Sequence, residues 1–202
     1  MTNTCFIILA AGQGSRFGRK KQFLEINGKP LWQHVKNKAL NFTEPENVVV
    51  VGVDIEGGIT RSQSVVCGLK YFKKMGREFD KIVILEAARP LITLEQINNA
   101  ISADSDSVTF AMPLTSTIIR KNGEYLDRND CLLLSTPVCF NYNLFSNAYL
   151  SGKYFDLTDD TFVMYSEYGI KPTLLEGSEN LVKLTYSSDL AILELLMNKY
   201  SL

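Results

Sequence analysis

The sequence has little of what a histidine-based or zinc-based site requires. It contains one histidine, His34, and four cysteines at positions 5, 67, 131 and 139. The cysteines are far apart and match no metal-ligand spacing, and most lie among apolar residues. We therefore expect reduced cysteines in the core of a cytosolic protein. His34 lies inside the helix-like segment PLWQHVKNK, where we expect a structural role.

Long apolar runs are missing as well. No stretch approaches the ~20 apolar residues that a membrane-spanning helix requires. The segment MTNTCFIILAAG lacks a basic region, and its apolar run is shorter than that of a signal peptide. These features favour a cytoplasmic protein that does not associate with a membrane.

An excess of charge of one sign is also absent. The chain has 21 Lys and Arg against 22 Asp and Glu, which gives a net charge of −1. This balance indicates no general affinity for nucleic acid or for anionic membranes. With 46% hydrophobic and 21% charged residues, its 202 residues are typical of one globular domain spanning 1–202. The composition therefore does not explain the four cations at positions 16, 19, 20 and 21.

Apolar runs typical of strands alternate along the chain with segments of helical periodicity. We predict strands within 5–10, 47–53, 81–90, 107–114 and 171–177, and helices within 30–41, 57–74, 93–102 and 187–200. Such alternation predicts an α/β fold, with a mostly parallel sheet and helices on both faces. Ligands of these sheets bind beyond the carboxyl ends of the strands, so the loops 10–21, 54–61 and 86–90 should meet at one rim.

Two local patterns refine this prediction. Thr93 followed by Gln96 indicates a capping box, and Pro30 stands at a plausible first helical position. Asn122-Gly123 lies within an alternating segment and predicts a hairpin turn. The hairpin begins a stretch rich in Tyr, Phe and Asn, over 117–160, that we interpret as an excursion from the sheet.

The first loop, LAAGQGSRFGRKKQF at 9–23, combines glycines with clustered cations. Bare backbone amides can approach an anion closely, Arg16 can hold a phosphate in a fork, and Lys21 adds a compact charge. The alternative is a tight turn that carries solvated charges. The spacing matches neither a P-loop nor a dinucleotide fingerprint, although Asp54 keeps an NAD-type domain open.

Two later loops favour a nucleotide ligand. GGITRSQS at 57–64 places glycines and hydroxyls at the start of a helix, where donors can bind a base edge or a phosphate. LEAARP at 85–90 places Glu86 at the end of a buried strand. A carboxylate there, beside bound phosphates, is suited to hold Mg²⁺. The alternative is an ion pair between Glu86 and Arg89.

Six motifs fall in the order seen in the IspD-type cytidylyltransferases. They are AAGQGSRFGRKKQFLEINGKPL, GGITRSQSVVCGL, AARP, LDRNDCLLLSTP, TDDTF and LLEGSENLVKLTYSSDLAI. The resemblance covers nearly the whole chain. It implies a Rossmann-like nucleotidyltransferase fold, and an enzyme that uses Mg²⁺ to join CTP to a small phosphorylated polyol or alcohol, releasing pyrophosphate. It also implies a homodimer built through a projecting arm, which we place at 117–155.

The resemblance also implies roles for residues that match the family's motifs. The nucleotide-wrapping loop corresponds to Ala10, Ala11, Gly12 and Gly14, with Arg16 and Lys21 on the triphosphate. The wall that recognises cytosine corresponds to Gly57, Gly58 and Ser64, and Arg89 follows the family's Ala-Ala-Arg-Pro. Lys183 resembles the lysine that reaches the phosphates at the reacting centre. Thr136 resembles a residue that contacts the second substrate.

The departures from the family fall mostly on the acceptor side. Glu86 stands where an aspartate usually holds the metal, and Val138 and Ser116 replace family residues. The arginine that binds the acceptor phosphate has no clear match in 140–157. The acceptor is therefore open between 2-C-methyl-D-erythritol 4-phosphate and a related molecule. An impaired, nucleotide-binding or regulatory homologue is the alternative.

Overall fold

The computed structural model describes residues 2–199, with side chains up to residue 197. The strands are β1 (Thr4–Leu9), β2 (Glu25–Ile26), β3 (Lys29–Pro30), β4 (Val48–Val51), β5 (Lys81–Glu86), β6 (Ser107–Pro113), β7 (Ile118–Ile119), β8 (Tyr125–Leu126), β9 (Leu132–Asn141) and β10 (Thr173–Glu176). The helices are α1 (Leu31–Ala39), α2 (Arg61–Lys74), α3 (Leu94–Ser102), α4 (Tyr142–Leu150), α5 (Thr161–Tyr168) and α6 (Asp189–Lys199).

The central sheet has six strands in the order β10-β6-β9-β5-β1-β4. β1 pairs in parallel with β4 and β5, and β10 pairs in parallel with β6. β9 is antiparallel to both of its neighbours, β5 and β6. The predicted α/β fold with a mostly parallel sheet is therefore confirmed.

Helices cover both faces of this sheet because its inner strands are apolar on both sides. Along β1, Phe6 and Ile8 pack in a cluster with α1 and α3, whereas Cys5 and Ile7 pack in a cluster with α2, α4 and α5. Gly68 allows α2 to approach β1 closely, since an added Cβ would lie 2.6 Å from Cδ1 of Ile7. The core thus fixes the loops that leave the strands.

The predicted helix starts are largely correct. Thr93 accepts a hydrogen bond from the backbone N of Gln96 and forms the predicted capping box. Thr60 forms a second capping box at the start of α2. Pro30 is the N-cap of α1, so this helix begins at Leu31, one residue later than predicted. α6 begins at Asp189, two residues after the start of the last predicted helix, and Tyr200 at its predicted end lies outside the described residues.

The predicted excursion is too long at its C-terminal end. The hairpin of β7 and β8 leaves the sheet and turns at Asn122-Gly123, as expected. Residues 132–150 do not leave it, because β9 lies between β5 and β6 and α4 packs its aromatic side chains in the core. Pro137 lies where the register between β9 and β6 shifts, and proline is tolerated in sheets at such irregularities.

Two further features concern the cysteines and the apolar character of the helices. All four cysteines are free, and Cys5 and Cys139 are buried. Within residues 2–199, none of the helices has the length and apolar character that crossing a membrane requires.

Candidate active site

The main cavity lies at the carboxyl ends of β1 and β5 and has a volume of about 750 Å³. The loops after β1, β4 and β5 all contribute to its lining, as the predicted rim requires. Of the predicted site residues, it brings together Ala10, Ala11, Gly12, Gly14, Arg16, Lys21, Gly57, Gly58, Ser64, Glu86 and Lys183. A cavity of this size is typical of small-molecule sites.

The first loop is held in place by its own backbone. The amides of Phe17 and Gly18 donate to the carbonyl of Gly14 at 2.9 and 2.8 Å, and the side chain of Gln22 donates to the carbonyl of Gly12 at 3.0 Å. Gly14 has a φ of +70°, and an added Cβ would lie 1.8 Å from the carbonyl oxygen of Arg19. Gly14 therefore has to be glycine for this turn to form. Nothing lies within 4 Å of an added Cβ at Gly12, which faces open space.

The two cations of this loop, Arg16 and Lys21, are termed the loop cations. Burial lowers the pKa of Lys21, and the like charges of Lys183 and Arg16 lower it further. The attraction of Glu86 and Asp189 does not offset these effects. The loop cations therefore concentrate positive charge at the cavity in excess of what the surrounding carboxylates neutralise.

The loop 57–64 forms a second wall against the first loop. An added Cβ at Gly57 would lie 2.2 Å from Cβ of Ala11, so the two loops touch at these residues. The amide of Gly58 donates to Oγ of Ser64 at 3.2 Å, and that hydroxyl donates to the carbonyl of Thr60 at 3.0 Å. The wall predicted to recognise cytosine is therefore ordered by its own hydrogen bonds.

Glu86 lies at the cavity's base and pairs with three cations, termed the hub cations: Arg61, Arg89 and Lys183. The Glu86 carboxylate lies 3.3 Å from Nε of Arg61, 3.2 Å from Nε of Arg89 and 2.9 Å from Nζ of Lys183. Burial alone would raise the pKa of Glu86, but the hub cations lower it to about 2. The Glu86–Arg89 ion pair that the sequence left open is thus present, within a larger cluster.

The cavity's oxygen ligands fit Mg²⁺ only together with the phosphate oxygens of a bound ligand. Among the described residues that line the cavity, Glu86 supplies the sole carboxylate. No group of three or more His, Cys, Asp or Glu in the described chain is placed to hold a metal ion. Mg²⁺ is commonly held by one or two carboxylates together with substrate phosphates and water. An ionised Glu86 beside a triphosphate matches that pattern.

Two predicted site residues do not line the cavity. The Arg89 guanidinium pairs with Glu86 and donates to the carbonyl of Leu181. Arg89 therefore holds Glu86 in place without itself lining the cavity. Thr136 is buried in β9, 7% exposed, and is not part of the lining.

The cavity also contains residues that sequence reasoning missed. They include the polar residues Gln22, Arg61, Thr158 and Thr185. All four stand in motifs that carry the family resemblance, so the sequence could have identified them, but only the fold shows that they line the cavity.

Comparison with known proteins shows which family this chain is similar to. The family described as 2-C-methyl-D-erythritol 4-phosphate cytidylyltransferase (IspD) matches residues 53–199, and the MobA-like NTP transferase domain matches residues 6–65. The 2-C-methyl-D-erythritol 4-phosphate cytidylyltransferase of Thermotoga neapolitana is 30% identical, over 96% of each chain. That of Clostridium botulinum strain Loch Maree is 30% identical, over 98% of this chain and 99% of the relative.

Solved structures agree with the sequence comparison. The bifunctional IspDF of Campylobacter jejuni has a TM-score of 0.82 and 27% identity, over 96% of this chain. This chain spans about half of that longer protein, 55% of its length. The cytidylyltransferase of Thermus thermophilus has a TM-score of 0.77 over 98% of this chain, and at 23% identity it supports the fold alone.

Fold and cavity together define an α/β nucleotidyltransferase. The chain belongs to the 2-C-methyl-D-erythritol 4-phosphate cytidylyltransferase (IspD) family, whose members are CTP-dependent cytidylyltransferases. None of these comparisons supports the NAD-type or the impaired-homologue alternative.

Proposed function

We propose that this protein transfers the cytidylyl group of CTP to 2-C-methyl-D-erythritol 4-phosphate and releases pyrophosphate, as a cytoplasmic enzyme of isoprenoid biosynthesis. The observation that carries the proposal is the concentration of loop cations beside glycine amides in one cavity. Such a cavity suits a polyphosphate, and the names of the full-length relatives supply the nucleotide and the acceptor. We infer no nucleic-acid or membrane partner.

The proposed reaction is a displacement at phosphorus. An oxygen of the acceptor phosphate attacks the α-phosphorus of CTP, and a new P–O bond forms as the bond to the bridging oxygen of the β-phosphate breaks. Both electrons of the broken bond leave with pyrophosphate, so the protein supplies position and charge rather than a nucleophile. Arg16, Lys21 and Lys183 take up the negative charge that develops on the phosphates.

Mg²⁺ would be held by Glu86 together with the triphosphate, and when bound it neutralises phosphate charge. The low pKa of Glu86, about 2, keeps its carboxylate ionised at neutral pH. Lys183 is the hub cation with the largest exposure, 36%, and its flexible side chain can turn from Glu86 to a phosphate.

The acceptor is proposed to lie on the side of the cavity that carries Thr158 and Lys183. Both lie away from the glycine-rich walls in the sequence, and both offer donors suited to phosphate and hydroxyl oxygens. The proposed contact of Thr136 with the acceptor rests on the resemblance, since its side chain does not line this cavity.

We also propose a homodimer formed through the hairpin of β7 and β8 and the start of β9. Large apolar side chains are exposed there, including Ile119 (52%), Tyr125 (74%) and Leu133 (51%). Clustered exposed apolar side chains are typical of interaction sites. Light scattering of Ile119→Asp should show a monomer where the parent chain is a dimer, and a monomeric parent chain would contradict the proposal.

The catalytic proposal is tested by following pyrophosphate release. CTP, Mg²⁺ and 2-C-methyl-D-erythritol 4-phosphate should give one pyrophosphate for each nucleotide consumed, and omission of the acceptor should abolish release. UTP and ATP test the choice of base, and ribitol 5-phosphate tests the choice of acceptor. CTP binding by calorimetry without turnover on either acceptor would contradict the proposal and favour an impaired homologue.

A further inference from the structure

A segment without regular structure, residues 155–160, lies between α4 and α5 and brings Thr158 to the main cavity. Its sequence, FDLTDD, contains no glycine and no cation, unlike the loops that are proposed to hold the nucleotide. Thr158 therefore lines the cavity from a part of the chain that is separate from the nucleotide walls. Its position depends on what holds this segment.

Three consecutive side chains at the start of α2 hold the segment. Oγ1 of Thr60 donates to the carbonyl of Phe155 at 2.5 Å. Oγ of Ser62 donates to the carbonyl of Leu157 at 2.9 Å and accepts from its amide at 2.8 Å. The backbone of the segment is thus satisfied by side chains rather than by a strand partner.

Arg61, between those two residues, adds the charged contact. Its Nη2 donates to Oδ2 of Asp160 at 2.6 Å, and its Nε lies 3.3 Å from Oε1 of Glu86. Asp160 is 1% exposed and also accepts from the hydroxyl of Tyr149. One guanidinium therefore joins the acidic end of the segment to the carboxylate that pairs with Lys183.

We propose that Arg61 is a positioning residue for the acceptor, because it bridges Glu86 and Asp160 and so fixes Thr158 at the cavity. This inference rests on the proposed function. The two contacts use different nitrogens of a rigid fork, which a lysine cannot reproduce with its single nitrogen. The start of α2 thereby couples the wall that is proposed to hold the nucleotide to the acceptor side.

The first test is Arg61→Lys, which keeps the charge and removes the bridge. Because one hydrogen bond to a charged group is lost and Thr158 is no longer fixed, the KM for 2-C-methyl-D-erythritol 4-phosphate should rise about tenfold or more. The Kd of CTP should rise less than the acceptor KM, since the loop cations that are proposed to contact the triphosphate are unchanged. Arg77→Lys is the matched control, because Arg77 bonds Asn47 and pairs with Glu46 away from the cavity.

A second variant, Ser62→Ala, makes a smaller change and keeps the inference testable if Arg61→Lys does not fold. Ser62→Ala removes both bonds to Leu157 without leaving a charge unpaired, and should also raise the acceptor KM. Hydrogen exchange at the Leu157 amide should quicken about tenfold, for a loss of roughly 1.4 kcal/mol. Ser107→Ala is the control, because Ser107 is equally buried and its hydroxyl has no hydrogen-bond partner within the described chain.

A double-mutant cycle separates positioning from general stability. If Arg61 acts through Thr158, the effects of Arg61→Lys and Thr158→Ala on acceptor KM should not add. Full additivity, or an unchanged acceptor KM in Arg61→Lys and Ser62→Ala, would overturn the inference. A parent enzyme that releases no pyrophosphate would instead overturn the proposed function, so the two failures are distinguishable.

Discussion

The loop cations line the cavity, as do Arg61 and Lys183 of the hub cations, but the two sets differ in what surrounds their charges. The hub cations share the carboxylate of Glu86, and Arg61 pairs with Asp160 as well. Of the loop cations, Lys21 lies close enough to Lys183 and Arg16 for their like charges to lower its pKa, and Arg16 stacks at 5.9 Å from the ring centroid of Tyr186. Every hub cation thus has a carboxylate partner, whereas neither loop cation forms an ion pair with a carboxylate among the described residues.

This difference indicates separate tasks. An ion cluster whose cations each have a carboxylate partner orders the structure around it, and removal of one partner is costly. Cations that repel one another are stabilised when an anion arrives, so their unfavourable arrangement favours binding of a polyphosphate. Lys183 belongs to both descriptions, since it pairs with Glu86 and also adds to the charge around Lys21.

The largest effect is expected from Lys21→Ala. Loss of a group that stabilises charge in a transition state lowers kcat by about 10²–10³, whereas the stability of the protein should not fall because the like-charge repulsion is relieved. Steady-state pyrophosphate release and a thermal melt measure the two quantities. Lys20→Ala is the matched control, since Lys20 is an exposed cation of the same loop that does not line the cavity. Equal losses in both variants would remove the distinction between the two sets of cations.

The second prediction concerns how the free energy of unfolding depends on pH. The pKa of Glu86 is lowered to about 2 in the folded protein from 4.5. Its ionisation therefore stabilises the fold above about pH 4.5, by on the order of 3 kcal/mol, and this contribution is lost as the pH falls toward 2. Denaturant unfolding of the parent chain and of Glu86→Gln from pH 7 to pH 3 measures it. The difference in unfolding free energy between the parent chain and Glu86→Gln should shrink as the pH falls. A difference that stays constant with pH would contradict the account.

A smaller effect distinguishes two glycines of the first loop, one that the turn requires and one that is proposed to contact the nucleotide. Gly14→Ala should lower stability by about 1–2 kcal/mol or more, because a left-handed φ is unfavourable for alanine and the added Cβ meets the carbonyl of Arg19. Gly12→Ala has room for its Cβ and should leave stability unchanged while it weakens CTP binding. Melts and calorimetry distinguish them. Unaltered CTP binding in Gly12→Ala would show that the nucleotide does not approach this backbone.

The sequence was informative about elements that carry strong local signals. Continuous apolar runs identified five strands of the sheet, and Thr93 with Gln96 marked the start of α3. β9 was missed as a strand of the sheet because Pro137 and its polar neighbours interrupt the apolar pattern that defines a central strand. Its place between β5 and β6 depends on pairing with distant segments, which local periodicity does not encode.

The same limit applies to the cavity. Glycines and cations of the first loop lie close together in the chain, so their shared location could be predicted from the sequence. The contact between Arg61 and Asp160 joins residues 99 positions apart, and the position of Thr158 depends on it. Arg89 illustrates the converse, since its motif indicates a site residue although its side chain supports Glu86 from outside the cavity.

The most direct test of the central claim is a crystal structure of the protein with CTP and Mg²⁺. The account predicts that the triphosphate lies within hydrogen-bonding distance, about 3 Å, of the first loop's amides and of the side chains of Arg16 and Lys21. A nucleotide bound elsewhere, with both loop cations directed into solvent and the loop amides unused, would contradict it.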